Sequence, residues 1–446
     1  MQKITQTGTV SQPKITVEMS AKNLTVNAGL LPVIRYMDKL QLDRLLDELV
    51  KTPARAENAD YQFNDAVQMV LLGQTAGATA MTHVTKVCGD EVVARMAGWE
   101  TVPVATTITR IIKAVKEKNI VELESVIPRL RGKIWKRLVR NGKKLACATH
   151  RALIDIDSTV QGVCGNQEGA EVGYNPRKKG QKAYHPLMAF CSETKEVLHS
   201  WYRCGSAYTS NGCVEFLKEL LAGLSNGVCK IVRADSGFFA GEILEYLESV
   251  DAGYLIKVKF RNLNKLLSGQ QWQSVVKMPG WEETAFLHKC GSWSKKRQFV
   301  AVRKQIGVTD DMFRTPIYEY FCYVTTDAGT PMQIHRMYGK RATCETWIEE
   351  CKSQMGAGCI RTDDFLANSV LFQCGVIAYN LLKWMALSVG GQIQRWEVKS
   401  IRLWLIRIAG KLTSGSRRLT LKLPKNFMYQ AEWEAWDRMA QEIVFA

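Results

Sequence analysis

Two short apolar segments that each end in an aspartate constrain the fold more than any other feature of this sequence. Residues 153–157 are Leu-Ile-Asp-Ile-Asp, and residues 230–235 are Lys-Ile-Val-Arg-Ala-Asp. Segments of this length and composition are typical of buried strands. Residues 214–224, which lie between them, have the apolar spacing of a helix. The strand–helix–strand order predicts an α/β fold in which each aspartate ends a strand.

Further segments extend this predicted sheet. Strands are expected at 186–191, 196–204 and 254–258, and a helix at 242–249. Residues 260–330 then alternate apolar and polar positions, which predicts a β-rich insertion that closes with a strand at 320–325. We expect a helix to follow from about residue 337 to residue 354. Together these elements predict a mixed sheet that is interrupted by an insertion.

The chain divides into five predicted parts. The first is mostly helical, since apolar residues recur at helical spacing between 30 and 98. The parts are a helical region (1–145), the first part of the core (146–259), the β-rich insertion (260–330), the second part of the core with its late helix (331–390) and a basic C-terminal region (391–446).

The charge of the chain indicates a polyanionic partner. Lys and Arg number 60 against 43 Asp and Glu, which gives a net charge of +17. Nucleic acid is the commonest such partner, and an anionic membrane surface is the competing one. Basic runs occur at 129–144, at 295–304 and at 395–425. The most apolar window, 369–389, contains Gln373, Asn380 and Lys383 and is therefore predicted to be a buried core helix rather than a membrane span.

The cysteines argue against a disulfide framework or a structural zinc site. Their number, 13, is odd, and no Cys-x-x-Cys pair is present. Reduced thiols in a cytoplasm are the simpler interpretation.

Three acidic residues form the predicted site. Asp157 and Asp235 end their strands, and Glu345 lies in the late helix. Chemistry in α/β sheets gathers at the carboxyl ends of strands, and a helix that packs there can add a third carboxylate. Such a set favours hard divalent ions such as Mg²⁺ or Mn²⁺. Asp155 points to the same strand face as Asp157, so spacing alone does not choose between them; Asp235 has the alternative role of a helix cap.

The late helix adds a polar stripe. Tyr338, Arg341, Glu345 and Lys352 fall within an arc of about 60° if the helix is regular. An acid flanked by two cations suits a helix that presents its carboxylate to a metal ion and its cations to phosphates.

The same four residues, spaced Tyr-x2-Arg-x3-Glu-x6-Lys, resemble the Y-R-E-K signature of DDE transposases from bacterial insertion sequences. Four further segments are similar to the subgroup called insertion-sequence family thirteen-eighty. They are Asp-Ile-Asp-Ser-Thr at 155–159, Tyr-His-Pro-Leu at 184–187, Arg-Ala-Asp-Ser-Gly at 233–237 and Asn-Ala-Gly-Leu-Leu at 27–31.

The resemblance implies an RNase H-like catalytic core, a β-rich insertion and a helical N-terminal DNA-binding region. It implies that Asp157, Asp235 and Glu345 bind two Mg²⁺ ions, for which Mn²⁺ can substitute. Tyr338, Arg341 and Lys352 would hold phosphates near the transposon end. A tryptophan of the insertion would stack on a flipped base; Trp293, beside Lys295, Lys296 and Arg297, is the residue expected to do so.

The activity that the resemblance implies is cut-and-paste transposition in a bacterial cytoplasm, at the nucleoid when the protein is bound to DNA. End cleavage, a hairpin intermediate and joining to target DNA would take place in a homodimeric synaptic complex on the terminal inverted repeats. Two alternatives remain: a transposase-derived DNA-binding protein that no longer cleaves DNA, and an RNase H-like nuclease that does not join strands.

Overall fold

The computed structural model describes residues 15–52, 59–175, 178–208, 210–291, 293–310, 312–415 and 418–445. Residues 1–14 of the predicted helical region and Arg417 of the basic C-terminal run lie outside the described residues.

Strands are distributed over most of the chain. They are β1 (Leu24–Thr25), β2 (Arg151–Ser158), β3 (Gln161–Gly162), β4 (Glu171–Val172), β5 (Lys182–Tyr184), β6 (Leu187–Cys191), β7 (Val197–Trp201), β8 (Cys229–Ala234), β9 (Gly253–Lys257), β10 (Gln273–Ser274), β11 (Trp281–His288), β12 (Arg297–Val308), β13 (Pro316–Thr325), β14 (Gly410–Gly415) and β15 (Arg418–Lys422).

Helices dominate the first 149 residues and recur later. They are α1 (Leu30–Leu40), α2 (Leu42–Leu49), α3 (Phe63–Ala76), α4 (Met81–Cys88), α5 (Glu91–Met96), α6 (Ala105–Ile112), α7 (Glu117–Glu124), α8 (Val126–Arg140), α9 (Ala146–Thr149), α10 (Cys213–Ala222), α11 (Gly241–Ser249), α12 (Leu263–Ser268), α13 (Pro331–Gly339), α14 (Ala342–Glu349), α15 (Phe365–Val389), α16 (Val398–Ile401) and α17 (Gln430–Glu442). Short 3₁₀ turns occupy Ser236–Phe238 and Ile393–Arg395, and π-helical turns occupy Glu350–Gln354 and Arg402–Ile406.

The central sheet is mixed, as the sequence predicted. Its strand order is β7-β6-β2-β8-β9-β13-β12-β11-β10. The neighbours β2, β8 and β9 are parallel, and the other pairs are antiparallel. Because β2 and β8 run in the same direction, their carboxyl ends meet at one edge of the sheet.

Two features of the sheet were not predicted. The strands of 260–330 extend it, because β13 pairs with β9 through Tyr323 and Lys257, so the insertion does not form a separate layer. A small sheet of order β3-β5-β4 lies between β2 and β6 in the chain. The backbone of Thr159 donates to Pro186 (3.0 Å), which joins the two ends of this small sheet beside β2.

Helix α15 is the centre around which both terminal regions pack. Helices α1, α3, α7 and α17 contact it. It is long and apolar enough to span a membrane, but 89% of that apolar window is buried inside the protein, which agrees with the predicted core helix. Its polar residues are paired internally: the Asn380 side chain accepts from the Val197 N–H and donates to its carbonyl, both at 2.8 Å, and Lys383 lies 2.6 Å from Glu350. The N-terminal and C-terminal regions also meet, since β1 pairs with β14.

The regular helix predicted over 337–354 is wrong. Helix α13 ends at Gly339, and α14 begins at Ala342. Between them the backbone forms tighter i→i+3 bonds, from Arg341 N–H to Tyr338 (2.8 Å) and from Cys344 N–H to Arg341 (2.8 Å). After α14 a wider π-type bond runs from Met355 N–H to Glu350 (2.8 Å). Both changes shift the register, so the four residues of the predicted stripe do not follow one regular helical face.

Candidate active site

The register of two parallel strands brings Asp157 and Asp235 together. Ile156 of β2 pairs with Ala234 of β8, so the residues that follow are neighbours at the carboxyl edge of the sheet. Asp157 Oδ1 accepts from the Ser158 N–H (2.8 Å). Asp235 Oδ1 accepts from the Gly237 N–H (2.9 Å) and caps the 3₁₀ turn. The capping role considered for Asp235 is therefore present, but it uses only one carboxylate oxygen.

Packing of α14 against β6 brings Glu345 to the same edge. Cys344, Trp347 and Ile348 form the buried face of this helix, and the Trp347 ring lies 6.1 Å from the ring of Phe190 on β6. Glu345 is exposed at the border of this face, directly after Cys344. A cleft of about 620 Å³ is lined by Asp157, Asp235 and Glu345 together. Its walls also include Lys178, His185, Glu349 and Lys352.

The structure separates the roles of Asp155 and Asp157. Asp155 is fully buried and forms a two-pronged ion pair with Arg233, with Nε–Oδ1 and Nη2–Oδ2 distances of 2.7 Å each. Arg233 also donates to the carbonyl of Met337 and to Ser192 Oγ. Asp155 is therefore satisfied inside the protein, whereas Asp157 lines the cleft.

Arg341 serves as the counter-ion of Asp157. Its Nη2 lies 3.0 Å from Asp157 Oδ2 and donates to the Ile156 carbonyl (2.9 Å). Burial raises the pKa of Asp157, Arg341 lowers it and Asp235 raises it again, and the result is a pKa of about 6. Arg341 is only 6% exposed. The prediction that it grips DNA phosphates does not fit this geometry, because its guanidinium faces protein oxygens.

Lys352 and Tyr338 border the site differently. Lys352 lies in the π-helical turn, lines the cleft and donates to the Val160 carbonyl (2.9 Å). Tyr338 packs its ring against Tyr323 at 4.7 Å, and burial raises its pKa to about 12. The charges of Asp235 and Asp157 also raise the pKa of this tyrosine. Glu350 is buried and paired with Lys383.

Two of the four residues predicted to stack on or bind DNA in the insertion, Trp293 and Arg297, are buried. Trp293 is 8% exposed; the Arg297 guanidinium lies 4.7 Å from the centre of its ring and Phe239 at 5.4 Å. Arg297 is buried and paired with Glu248 (2.7 Å). Lys295, also paired with Glu248 (3.0 Å), lines a cleft with Arg151 and Gly253, which begin β2 and β9. This is the opposite end of the parallel strands from Asp157. Lys296 is exposed, but Trp293 is not available to a flipped base.

Several cations of the other basic runs are structural as well. Arg131 is buried and donates to the carbonyls of Leu198 (2.9 Å) and Gly223 (2.6 Å). Arg402 donates to the carbonyls of Thr75 (2.9 Å) and Gln354 (2.6 Å). The net positive charge of the sequence is therefore larger than the positive charge exposed at the surface, where a nucleic acid could bind.

The donor chemistry of the cleft fits divalent metal ions. Its acids are oxygen ligands from three separate elements, and Mg²⁺ or Mn²⁺ prefers such ligands. Burial raises the pKa of Asp157 although Arg341 lowers it, so a further cation nearby would favour its charged form. Asp157, Asp235 and Glu345 are the residues that would hold such ions.

A second group of metal-type ligands was missed by sequence reasoning. Donor atoms of Glu124, His199 and Glu219 all lie within 4.8 Å of one another. They come from α7, β7 and α10, so no local motif could have revealed them. Protein groups already bind them, since His199 Nε2 lies 2.9 Å from Glu219, and Gln373 donates to Glu124 (3.2 Å).

Comparisons with known proteins give one family. No curated protein matches the sequence. A solved structure, a cryo-EM structure of the piggyBac transposase synaptic complex with hairpin DNA, is 16% identical. The match covers 92% of this chain and 82% of that chain with a TM-score of 0.43. The family model described as transposase DDE domain group 1 matches residues 7–442. This match spans nearly the whole chain, and the chain therefore belongs to the transposase DDE domain group 1 family.

Proposed function

We propose that this protein is a DNA transposase that moves an insertion sequence by a cut-and-paste reaction. The observation that carries the proposal is the single cleft lined by Asp157, Asp235 and Glu345. Asp157 lies in β2, Asp235 directly follows β8 and Glu345 lies in α14, in a chain of the DDE transposase family. We assign the sheet β7-β6-β2-β8-β9 to an RNase H-like core, and the element to insertion-sequence family thirteen-eighty.

The chemistry proposed for the cleft is metal-dependent phosphoryl transfer. In the first step a water oxygen bonds to phosphorus and the P–O3′ bond breaks, which leaves a 3′-hydroxyl and a 5′-phosphate. Each later step, hairpin formation and joining to target DNA, exchanges one phosphodiester bond for another, and a water opens the hairpin between them. Two bound Mg²⁺ ions, or Mn²⁺ in their place, would activate the attacking oxygen and stabilise the leaving oxygen.

The residues of this chain have distinct proposed tasks. Asp157, Asp235 and Glu345 hold the metal ions, and Arg341 keeps Asp157 in place. Lys352 and Tyr338 orient the phosphate backbone near the acids. The exposed cations of the helical region (1–145) and of the C-terminal region (391–446) bind duplex DNA on either side.

The proposed partners are the two terminal inverted repeats of the element and a target duplex. A transposon has two ends, so we propose a homodimer in a synaptic complex. The proposed location is a bacterial cytoplasm, at the nucleoid when the protein is bound to DNA.

The test is a plasmid excision assay combined with cleavage of DNA that carries a terminal repeat. We expect Asp157→Asn, Asp235→Asn and Glu345→Gln each to abolish excision while DNA binding persists. Normal excision by any one of them would remove that residue from the site. If the unaltered protein binds ends but never cleaves them with Mg²⁺, it is a transposase-derived binding protein. Cleaved ends that never join target DNA would indicate a nuclease.

A further inference from the structure

His185 lines the cleft but is neither one of the three acids nor a cation. It lies between β5 and β6, where the small sheet meets the central sheet. Its backbone N–H donates to the Arg203 carbonyl (3.0 Å), and Arg203 Nε donates to the His185 carbonyl (3.0 Å). The residue is 3% exposed, yet it lines the same cleft as the three acids. The backbone pairing and the burial hold the imidazole in one place.

The hydrogen bond of the ring defines its tautomer. His185 Nδ1 lies 2.6 Å from the carbonyl oxygen of Ala207. A carbonyl oxygen can only accept, so Nδ1 must carry the hydrogen. Burial lowers the pKa of His185, the hydrogen bond to Ala207 raises it, and the charge of Arg203 lowers it again; the net direction is downward, which favours the neutral ring. In a neutral imidazole with hydrogen on Nδ1, Nε2 has a free lone pair and accepts.

No hydrogen-bond partner for this Nε2 exists among the residues that the structure describes. Because His185 lines the cleft, a ligand bound there can supply a donor to this open acceptor. The phosphate oxygens of DNA cannot do so, because they are acceptors; the cations Lys178 and Lys352 in the cleft walls suit them instead. The group in phosphoryl transfer that does carry a hydrogen is the attacking hydroxyl.

We propose that His185 is a further catalytic residue, whose Nε2 accepts a hydrogen bond from the attacking hydroxyl. That hydroxyl is water during end cleavage and the 3′-hydroxyl of the cut end during joining. The hydrogen bond holds the oxygen lone pair toward phosphorus, and alignment of this kind contributes substantially to rate. This inference rests on the proposed transposase function.

Two substitutions separate this role from a structural one. In His185→Asn, the Asn Nδ2 can take the place of Nδ1 and still donate to Ala207, but no atom replaces Nε2. In His185→Gln, the longer side chain can place its amide oxygen near the position of Nε2. We expect His185→Asn to lower the single-turnover cleavage and joining rates about 10²-fold. His185→Gln should recover about 10-fold of that loss, and both variants should keep wild-type end binding and melting temperature.

The experiment compares these variants with His150→Asn, a control at the exposed start of β2, and with Asp157→Asn. If the unaltered protein fails to cleave repeat DNA, the proposed function fails. If it cleaves and His185→Asn matches it, the role of His185 alone is refuted. Equal losses of rate in His185→Asn and His185→Gln would also refute the role of His185. Weaker end binding with an unchanged rate would refute it too, because Nε2 would then contact a base edge. Nitrogen NMR of labelled histidines in the DNA-free protein supplies a readout independent of activity: we expect a protonated Nδ1 and an unprotonated Nε2 for His185, and the reverse tautomer would overturn the proposal.

Discussion

Two regions of the molecule contain similar residue types but differ in how their carboxylate charges are balanced. They are the cleft lined by Asp157, Asp235 and Glu345 and the cluster around Trp293. In the Trp293 cluster the charges cancel locally: burial would raise the pKa of Glu248, but Arg297 and Lys295 lower it to about 2. In the cleft, Asp157 has a pKa raised to about 6 despite Arg341. The carboxylate of the Trp293 cluster is neutralised by its own neighbours, whereas the cleft carboxylates face a space in which a bound cation can neutralise them. The surroundings of the acids, rather than the residue types present, distinguish the proposed site from the Trp293 cluster.

The largest expected effects come from substituting Asp157 and Asp155, two aspartates on the same face of β2. Asp157→Asn should lower the cleavage rate by about 10³-fold, which corresponds to about 4 kcal/mol of barrier. Its effect on unfolding should be smaller, because Asp235 still attracts Arg341. Asp155→Asn breaks a fully buried pair and should lower the free energy of unfolding by about 3 kcal/mol. Denaturant titration and single-turnover cleavage of both variants measure this contrast; equal loss of rate in the two would contradict it.

The Trp293 cluster should contribute to stability and not to DNA binding. Arg297→Ala leaves Glu248 without its buried partner and should lower the free energy of unfolding by about 3 kcal/mol. Lys296→Ala changes the exposed residue directly before Arg297 and is the control, with an expected change below about 0.5 kcal/mol. Thermal melting with and without repeat DNA checks this. A loss of end affinity for Arg297→Ala at unchanged stability would return the cluster to the DNA surface.

Glu124 represents a third kind of environment. It is a buried acid for which no Lys or Arg partner is found among the described residues. Burial and the charge of Glu219 raise its pKa to about 8, although Gln373 lowers it. Since this pKa is higher in the folded chain than the ordinary value of 4.5, folding favours the protonated acid. Its contribution is complete below pH 4.5 and is lost as the pH rises to about 8, at about 1.4 kcal/mol per pKa unit.

The variant Glu124→Gln should therefore flatten the fall in melting temperature between pH 5 and pH 9. Glu122→Gln, a partly buried acid on the same helix, is the matched control. An unchanged pH profile in Glu124→Gln would show that this acid is not the group that titrates.

The smallest effect distinguishes the two cations near the acids. Lys352→Ala should weaken end binding and reduce the salt slope by about one unit, because its side chain lines the cleft. Arg341→Ala should leave the slope unchanged, since its guanidinium faces Asp157 and Ile156. Fluorescence anisotropy over a salt series measures both slopes. A reduced slope for Arg341→Ala would place that residue on a phosphate after all.

Local patterns predicted the elements of the fold better than the contacts of the site. The strands that end near Asp157 and Asp235 have short apolar sequences, and these identified their place in the mixed sheet. The break after Gly339 and the π-helical turn around Lys352 could not be predicted, because they depend on backbone bonds that the spacing does not record.

The burial of charged residues could not be predicted from the sequence either. Arg131, Arg297 and Arg402 belong to basic runs, yet each is buried and bonded to partners distant in the chain. The partner of Asp155 is Arg233, 78 residues later, and only the parallel pairing of β2 with β8 brings them together. The same pairing decides between Asp155 and Asp157, which strand alternation left open.

The central claim is that the cleft carboxylates bind the metal ions that act on DNA, and a ligand exchange at Asp235 tests it most directly. Asp235 uses one oxygen to cap a turn and does not pair with Arg341 in the structure. Asp235→Cys replaces a hard oxygen ligand with a softer thiolate, which Mn²⁺ accepts more readily than Mg²⁺. We predict that this variant cleaves repeat DNA with Mn²⁺ but not with Mg²⁺, while the unaltered protein uses both. Equal activity of the variant with the two ions would contradict the account.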